Sequence, residues 1–294
     1  MATPAQWFAG ARPRTLTAAV APVVVGTGVA ASAGSADALR AVLALLVAVA
    51  LQFGANYAND YSDGIRGTDV ARVGPVRLVG QGLAAPDRVR VAAFASFATA
   101  AVLGAVLVAL TAQWWLLLVG AASIAAGWWY TGGRRPYGYR GLGEVFVFVF
   151  FGIVPVVGTA YVQMIAWSWT AFIASCGVGA IACAILVANN LRDIPTDEAH
   201  DKITLAVRLG APRTRALFIG LLVTPYAVVI ALAAFGGLTG TWWALLSLPL
   251  AVRVGFIVVD GATGRDLVPV LSLTGMLSGI YGLLLGIGLG LSPG

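Results

Sequence analysis

Hydrophobic residues occur in long runs that are separated by short polar or charged connections. Nine of these runs contain about 20 residues or slightly more, which is the length that an α-helix needs to cross ~30 Å of hydrocarbon. We therefore predict an all-α integral membrane protein with nine transmembrane helices. The predicted spans are 15–34, 38–58, 89–110, 112–131, 143–164, 168–190, 214–235, 239–259 and 268–291.

Positively charged residues lie almost entirely on one side of this predicted bundle. The connections between spans 3 and 4, 5 and 6, and 7 and 8 carry no charged residue, and Arg40 is the only cation on that side. Cytoplasmic loops of membrane proteins are enriched in arginine and lysine. We therefore predict that the N-terminus lies in the cytoplasm and the C-terminus outside.

Composition supports the membrane assignment and limits the interpretation of charge. Of the 294 residues, 60% are hydrophobic and 10% are charged, which is too apolar for a soluble domain of this size. The net charge of +6 follows from the one-sided loops, so it indicates topology rather than nucleic-acid binding. The longer loops all fall on the predicted cytoplasmic side, where we expect them to cap a binding site.

Two sets of polar residues end predicted spans 2 and 6. Each set has one asparagine and two aspartates at steps of three or four residues, and we call each set a ladder. The first ladder is Asn56, Asp60 and Asp63, and the second ladder is Asn189, Asp193 and Asp197. Such spacing places each ladder on one helix face. Carboxylate and amide oxygens suit Mg²⁺, which prefers to share its site with substrate phosphates. The alternative is that each ladder is a solvated helix end.

The equivalent positions of the two ladders indicate two parallel four-helix repeats with a ninth helix added, within one transmembrane domain over 1–294. Cations near the ladders are candidate phosphate ligands, although the cytoplasmic charge bias alone also explains each of them. They are Arg66, Arg72, Arg77, Arg134, Arg135, Arg192 and Lys202. The glycine-rich loop from Tyr130 to Tyr139 allows close approach to a ligand, and its aromatic rings can stabilise a cation.

The order of these motifs along the chain resembles the UbiA-type membrane prenyltransferases, and most of all those that act on 1,4-dihydroxy-2-naphthoate in menaquinone biosynthesis. The resemblance covers essentially the whole chain. It is carried by Ala11-Arg12-Pro13-Arg14-Thr15-Leu16, by Asn56 to Asp63 with Gly67 and Asp69, by Tyr130-Thr131-Gly132-Gly133, by Arg135 to Tyr139 with Gly141-Leu142-Gly143-Glu144, and by Asn189 to Asp197 followed by Lys202.

The resemblance implies nine transmembrane helices around a central cavity with cytoplasmic cap loops. It implies Mg²⁺-dependent transfer of a polyprenyl group from polyprenyl diphosphate to 1,4-dihydroxy-2-naphthoate, with loss of CO₂ and diphosphate. The implied metal ligands are Asp60, Asp63, Asp193 and Asp197, with Lys202 and Tyr130 as further catalytic residues. The resemblance also implies supporting roles for Asn56, Asn189 and Arg192, and a place in the bacterial cytoplasmic membrane. We predict the following substrate-binding residues in all: Asn56, Asn59, Tyr61, Arg66, Arg72, Arg77, Arg134, Arg135, Tyr139, Asn189 and Arg192. Tyr61 and Tyr139, like Tyr130, are candidates to shield an allylic cation.

Two positions depart from the family pattern. Asp201 stands before Lys202 where relatives usually have glycine, so it either changes the loop or adds a carboxylate to the site. Arg134 stands four residues after Tyr130 where a lysine is common, and it still supplies a cation. Two alternative functions stay open: prenyl transfer to another aromatic acceptor, such as 4-hydroxybenzoate or homogentisate, and ion-coupled transport. A transporter would be expected to carry its acidic residues nearer the bilayer midplane.

Overall fold

A computed structural model of the protein describes residues 2–67 and 76–292, apart from the side chain of Arg14. The predicted phosphate ligand Arg72 and the motif residue Asp69 lie outside the described residues. Within the described ranges the chain is helical and forms no β-strand, as predicted. The helices are α1 (Pro4–Gly10), α2 (Thr17–Ser32), α3 (Ala38–Arg66), α4 (Pro86–Thr111), α5 (Leu116–Trp129), α6 (Gly143–Val147), α7 (Val154–Met164), α8 (Trp169–Ala199), α9 (Leu205–Ala234), α10 (Leu248–Val259) and α11 (Leu267–Leu291).

Two irregular helical segments continue directly into α-helices and lengthen them into rods. A π-helical turn, Phe148–Ile153, connects α6 to α7, and a 3₁₀ segment, Thr239–Ser247, leads into α10. Within residues 2–67 and 76–292, and with these rods counted as continuous, seven helices are long and apolar enough to cross a membrane. The prediction of a multi-pass helical membrane protein is therefore confirmed. Predicted spans 1 and 4 correspond to α2 and α5, which have only 16 and 14 residues, so nine crossings stay a prediction.

Three helices extend beyond the apolar runs that predicted them. Helix α3 continues to Arg66 and α8 to Ala199, so both ladders lie in the final turns of long helices rather than beyond their ends. Helix α9 begins at Leu205 and includes a kink at Gly210, where φ is 72° and ψ is 166°. Hydropathy marks where a helix leaves the hydrocarbon, whereas backbone hydrogen bonding continues until a capping residue such as Gly67 ends it.

Helix α1 is absent from the hydrophobic pattern and begins with a capping box between Thr3 and Gln6. The Tyr57 hydroxyl of α3 donates a hydrogen bond to the Trp7 carbonyl oxygen at 3.0 Å. The two rings also meet edge to face, 5.7 Å apart. Helix α1 therefore lies against the end of α3 that carries the first ladder.

Helix α8 forms the centre of the bundle and packs against α2, α9, α11 and the π-helical turn. Helix α5, by contrast, packs against α3 and α4 and makes at most sparse contact with the rod Gly143–Met164. A space therefore remains between α5 and this rod.

Small residues allow α2 and α11 to approach closely. A Cβ atom added at Gly28 would lie 2.2 Å from the carbonyl oxygen of Gly286. We expect Gly28→Ala to lower the free energy of unfolding by about 1–3 kcal/mol, because the clash is with rigid backbone. The measurement is the thermal unfolding midpoint of the purified protein in detergent. Gly220→Ala is the control, since a Cβ there meets nothing within 4 Å; equal midpoints for the two variants would contradict the packing.

Candidate active site

A cavity of about 1000 Å³ lies inside the bundle and is lined by residues of both ladders. Its walls are apolar along α3, α5 and the rod Gly143–Met164, where Leu51, Ile124 and Phe150 are among the lining residues. The polar lining residues near the ladders include Asn56, Asn59, Asp63, Arg77, Tyr130, Asn189, Arg192 and Lys202. The cavity thus combines a long apolar volume with a buried polar end.

The three side chains of the first ladder are at most 5% exposed. The carboxylate of Asp60 accepts hydrogen bonds from the backbone N–H groups of Leu78 at 2.7 Å and Val79 at 3.0 Å. These bonds hold the start of the second described range, residues 76–292, against α3. Arg77, directly before it, is 6% exposed and lines the cavity. Asp60 therefore fixes the position of a buried cation.

The second ladder contains a buried ion pair between adjacent residues. Arg192 Nε lies 2.6 Å from Asp193 Oδ1, and Arg192 Nη2 lies 2.7 Å from Asp193 Oδ2. Nη2 also donates to Asn189 Oδ1 at 2.8 Å. The remaining nitrogen of the guanidinium group, Nη1, is buried and has no hydrogen-bond partner in the part of the chain that the structure describes. Arg192 lines the cavity, so a strong donor is available for an anionic ligand.

Lys202 and Tyr139 connect the two ladders. Lys202 Nζ lies 3.2 Å from Asp197 Oδ1 and 5.4 Å from the centroid of the Tyr139 ring. The Tyr139 hydroxyl donates to Asp63 Oδ1 at 2.9 Å. Asp63 and Asp197, which belong to different ladders, are therefore joined through one aromatic ring and one ammonium group.

The glycine-rich loop is tied to α3 at its beginning. The Thr131 hydroxyl donates to Asn59 Oδ1 at 2.8 Å. Arg66, at the last turn of α3, donates to the carbonyl oxygens of Thr131 and Gly133 and lies over the Tyr139 ring at 5.3 Å. Arg66 thus holds the loop closed over the polar end and is not among the lining residues of the cavity.

A row of aromatic rings runs from this loop into the apolar part of the cavity. Tyr130 meets Tyr137 edge to face at 5.5 Å, Tyr137 stacks on Phe146 at 3.9 Å, and Phe146 stacks on Phe150 at 6.0 Å. All four line the cavity. The Tyr137 hydroxyl donates to the Ala126 carbonyl oxygen at 2.7 Å, and burial raises the pKa of its phenol above the usual value. Tyr137 therefore stays neutral and presents a π face.

The ladders do not form a preassembled metal cage. Among the described residues, no group of three or more His, Cys, Asp or Glu side chains is arranged to hold a metal ion. Asp193 and Asp197 pair with cations, Asp60 pairs with backbone amides, and of the four only Asp63 lines the cavity. The donor atoms are nevertheless hard oxygens, and Mg²⁺ usually binds through one or two carboxylates together with water and substrate phosphates. The residues fit a metal that is completed by a phosphate ligand.

Some predicted substrate-binding residues lie away from the cavity. The Tyr61 ring stacks on Trp128 at 6.1 Å and lies under the guanidinium group of Arg90 at 5.8 Å. Tyr61 is not among the lining residues. Arg134 and Arg135 are exposed and do not line the cavity either.

Asp201 changes the loop rather than the ligand set. It has a φ of 53°, in the left-handed region that glycine adopts freely and aspartate tolerates better than most residues. Its side chain is exposed, whereas Lys202 next to it is 7% exposed and lines the cavity. The left-handed turn therefore directs Lys202 inward without adding a carboxylate to the site.

Several residues that line the cavity were not predicted from the sequence. Gln52 precedes Asn56 by four residues, so extending the first ladder by one turn would have identified it. Arg12 lines the cavity with φ at 57°, an uncommon conformation for arginine. Tyr137 and Phe146 carry no signal beyond being aromatic, because their roles depend on tertiary packing.

Comparisons with known proteins agree with this architecture. Residues 19–266 match the UbiA prenyltransferase family. The 1,4-dihydroxy-2-naphthoate octaprenyltransferase of Mycobacterium tuberculosis is 54% identical over 286 residues, 96% of each chain.

Solved structures of UbiA homologs share the fold at low sequence identity. The apo structure from Aeropyrum pernix K1 has a TM-score of 0.70 at 17% identity and covers 91% of this chain and 96% of its own. The homolog from Archaeoglobus fulgidus bound to GPP and Mg²⁺ has a TM-score of 0.62 at 14% identity, with coverages of 95% and 99%. These structures share the fold, and the sequence matches establish that the chain belongs to the UbiA prenyltransferase family.

Proposed function

We propose that this protein transfers a polyprenyl group from polyprenyl diphosphate to 1,4-dihydroxy-2-naphthoate. In net terms the ring gains the prenyl group and loses its carboxylate as CO₂, and diphosphate leaves with the electron pair of the broken C–O bond. The product is demethylmenaquinol. The name of the mycobacterial relative, at 54% identity over nearly the whole chain, supports this choice of acceptor.

The cavity is the observation that carries the proposal. A polyprenyl diphosphate is a long apolar chain with a compact polyanion at one end, and the cavity has the same division. Arg77, Arg192 and Lys202 all line it, and each is at most 7% exposed. Guanidinium and ammonium groups form strong charge-assisted hydrogen bonds with phosphate oxygens, so three cations at this end of the cavity suit a bound diphosphate.

In this proposal the cations act on the leaving group. Arg192 donates through Nη1 to a diphosphate oxygen while its other nitrogens stay paired with Asp193 and Asn189. Lys202 supplies a second positive charge, and its pairing with Asp197 holds it at the polar end. Negative charge grows on the diphosphate as the allylic C–O bond breaks, and preorganised donors stabilise that charge.

Asp60, Asp63, Asp193 and Asp197 would hold Mg²⁺, with Asn56, Asn59 and Asn189 as supporting oxygen donors. The metal would supply further charge neutralisation for the diphosphate. The Archaeoglobus homolog bound to GPP and Mg²⁺ supports divalent metal use within the family.

In this proposal the row of aromatic rings stabilises the prenyl cation that forms when diphosphate leaves. Breaking the C–O bond leaves an allylic cation, and π faces attract cations. Tyr130 and Tyr137 lie between the polar end and the apolar wall, where this cation would form. The electron-rich naphthoate ring then attacks the allylic carbon.

The membrane arrangement is also a proposal. All nine predicted spans cross the bilayer within one domain, 1–294, the N-terminus is cytoplasmic, and the ladders face the cytoplasmic side. Sparse contact between α5 and the rod Gly143–Met164, both of which line the cavity, supports lateral entry of the lipid substrate between them.

An acceptor panel tests the proposed function. Purified protein with Mg²⁺ and octaprenyl diphosphate is offered 1,4-dihydroxy-2-naphthoate, 4-hydroxybenzoate or homogentisate, and products are identified by mass spectrometry. We expect a prenylated, decarboxylated product from the naphthoate at the highest kcat/KM. A preference for another acceptor would reassign the substrate, and no product with any aromatic acceptor would favour the transporter alternative.

Removal of divalent metal is expected to abolish the reaction. Excess EDTA should lower diphosphate release to background, and added Mg²⁺ should restore it, because the carboxylates need a cation to accommodate a diphosphate. EDTA saturated with Mg²⁺ beforehand is the control. Undiminished turnover in EDTA would show that the arginines and Lys202 suffice alone.

A further inference from the structure

An unsatisfied hydrogen-bond acceptor belongs to a residue that lines the cavity one helical turn from the first ladder. Gln52 is 6% exposed and lines the cavity. Its Oε1 atom is buried and has no hydrogen-bond partner among the residues that the structure describes. Buried polar atoms in proteins are nearly always paired, so this oxygen indicates a ligand that donates a hydrogen bond.

The neighbouring hydrogen bonds fix which end of the Gln52 amide is bound to Thr15. The Thr15 hydroxyl donates its single proton to the Arg12 carbonyl oxygen at 2.9 Å. Thr15 Oγ1 can then only accept, and it accepts from Gln52 Nε2 at 3.0 Å. One N–H of the amide nitrogen is thus used by Thr15, and Oε1 is the amide atom that has no hydrogen-bond partner among the described residues.

Arg12, whose carbonyl oxygen begins this chain of hydrogen bonds, has a left-handed backbone conformation with φ at 57° and ψ at 64°. Non-glycine residues in this region often occur at functional sites, where surrounding contacts maintain them. Arg12 and Thr15 also line the cavity. Two consecutive hydrogen bonds, from Gln52 to Thr15 and from Thr15 to Arg12, therefore hold the Gln52 amide in a defined orientation.

The proposed substrates differ in which of them can satisfy this oxygen. An ionised diphosphate has only acceptor oxygens, and a polyprenyl tail has no polar hydrogen. A dihydroxynaphthoate has two ring hydroxyls that donate. The buried Arg192 Nη1 is the opposite case, a donor without a partner within the described residues, and it matches the diphosphate.

We propose that Gln52 Oε1 accepts a hydrogen bond from a ring hydroxyl of the aromatic acceptor, so that Gln52, oriented by Thr15, determines acceptor specificity. This inference rests on the proposed function and adds the acceptor subsite to it. A cavity water bound to Gln52 is the competing explanation, and it predicts no discrimination between hydroxylated and deoxygenated rings.

The test compares wild type with Gln52→Leu on three acceptors. These are 1,4-dihydroxy-2-naphthoate, 1-hydroxy-2-naphthoate and 4-hydroxy-2-naphthoate. We expect Gln52→Leu to raise the KM for the dihydroxy acceptor by about tenfold to a hundredfold, as for loss of a buried hydrogen bond. The KM for polyprenyl diphosphate should change less than about twofold, since its binding does not use the lost interaction. Wild type should also discriminate against one monohydroxy analogue, and this discrimination should disappear in Gln52→Leu.

A second pair of variants separates orientation from folding. Thr15→Ser keeps the hydroxyl and should retain wild-type kinetics, whereas Thr15→Val loses it and should raise the acceptor KM. Thermal unfolding midpoints identify any variant that fails to fold.

Unchanged acceptor KM and preserved discrimination in Gln52→Leu would overturn the inference, and so would an equal rise in both substrates' KM. If wild type prenylates a different hydroxylated aromatic, the same comparison is made with that acceptor and its deoxy analogue. No activity on any aromatic would overturn the proposed function and the inference together.

Discussion

Replacing Asp63 with asparagine is expected to lower kcat for prenyl transfer by about a hundredfold to a thousandfold, the range seen when a group that stabilises transition-state charge is removed. Asparagine keeps the size of the side chain and removes its negative charge. Asp63 is the one aspartate of the two ladders that lines the cavity, and it is 3% exposed. The measurement is diphosphate release by purified protein at saturating substrates and Mg²⁺.

Tyr139→Phe is the matched control for Asp63→Asn. It removes only the hydroxyl that donates to Asp63 Oδ1 and leaves the ring beside Lys202. We expect it to cost about tenfold or less, because one hydrogen bond to the carboxylate contributes less than the negative charge that the carboxylate itself supplies. Equal losses in both variants would mean that Asp63 acts only by positioning Tyr139. Turnover of Asp63→Asn within tenfold of wild type would contradict its assignment as a metal ligand.

Arg192→Ala is expected to lower kcat/KM for polyprenyl diphosphate by about a hundredfold or more, whereas Arg134→Ala should stay within about threefold, as for an exposed charge. The sequence alone offers both arginines as phosphate ligands. Their surroundings differ: Arg192 is 6% exposed and lines the cavity, and Arg134 is exposed and lies outside it. Steady-state kinetics with varied polyprenyl diphosphate measure the contrast.

A double variant separates the catalytic effect of Arg192 from its effect on stability. Arg192→Ala removes the ion pair with buried Asp193, which is strongly destabilising. Combining it with Asp193→Asn also removes the buried negative charge and should recover most of the thermal unfolding midpoint, while activity stays below that of Asp193→Asn alone. Recovery of activity along with stability would show that Arg192 serves only to neutralise Asp193.

The ladders could be predicted from sequence because their information is local. Spacings of three and four residues place Asn56, Asp60 and Asp63 on one face of α3 whatever the rest of the chain does. The partners of those residues depend on tertiary packing. No sequence pattern indicates that Tyr139 donates to Asp63 or that the backbone of Leu78 binds Asp60.

The different roles of the arginines could not be predicted from the sequence for the same reason. The positive-inside rule explains Arg66, Arg134 and Arg192 equally well, because all three lie on the predicted cytoplasmic side. Burial and contacts then assign Arg66 to the closure of the glycine-rich loop and Arg192 to the cavity. The Gln52 acceptor was missed because the surrounding apolar run identified only a membrane span.

The most direct test of the proposed reaction uses 1,4-dihydroxy-2-naphthoate labelled at its carboxylate carbon, with octaprenyl diphosphate and Mg²⁺. We expect wild-type protein to release labelled CO₂ and diphosphate in equal amounts, each matching the prenylated product, and Asp63→Asn to form almost none of the three. A prenylated product that keeps the label, or diphosphate release that does not need the naphthoate, would contradict it.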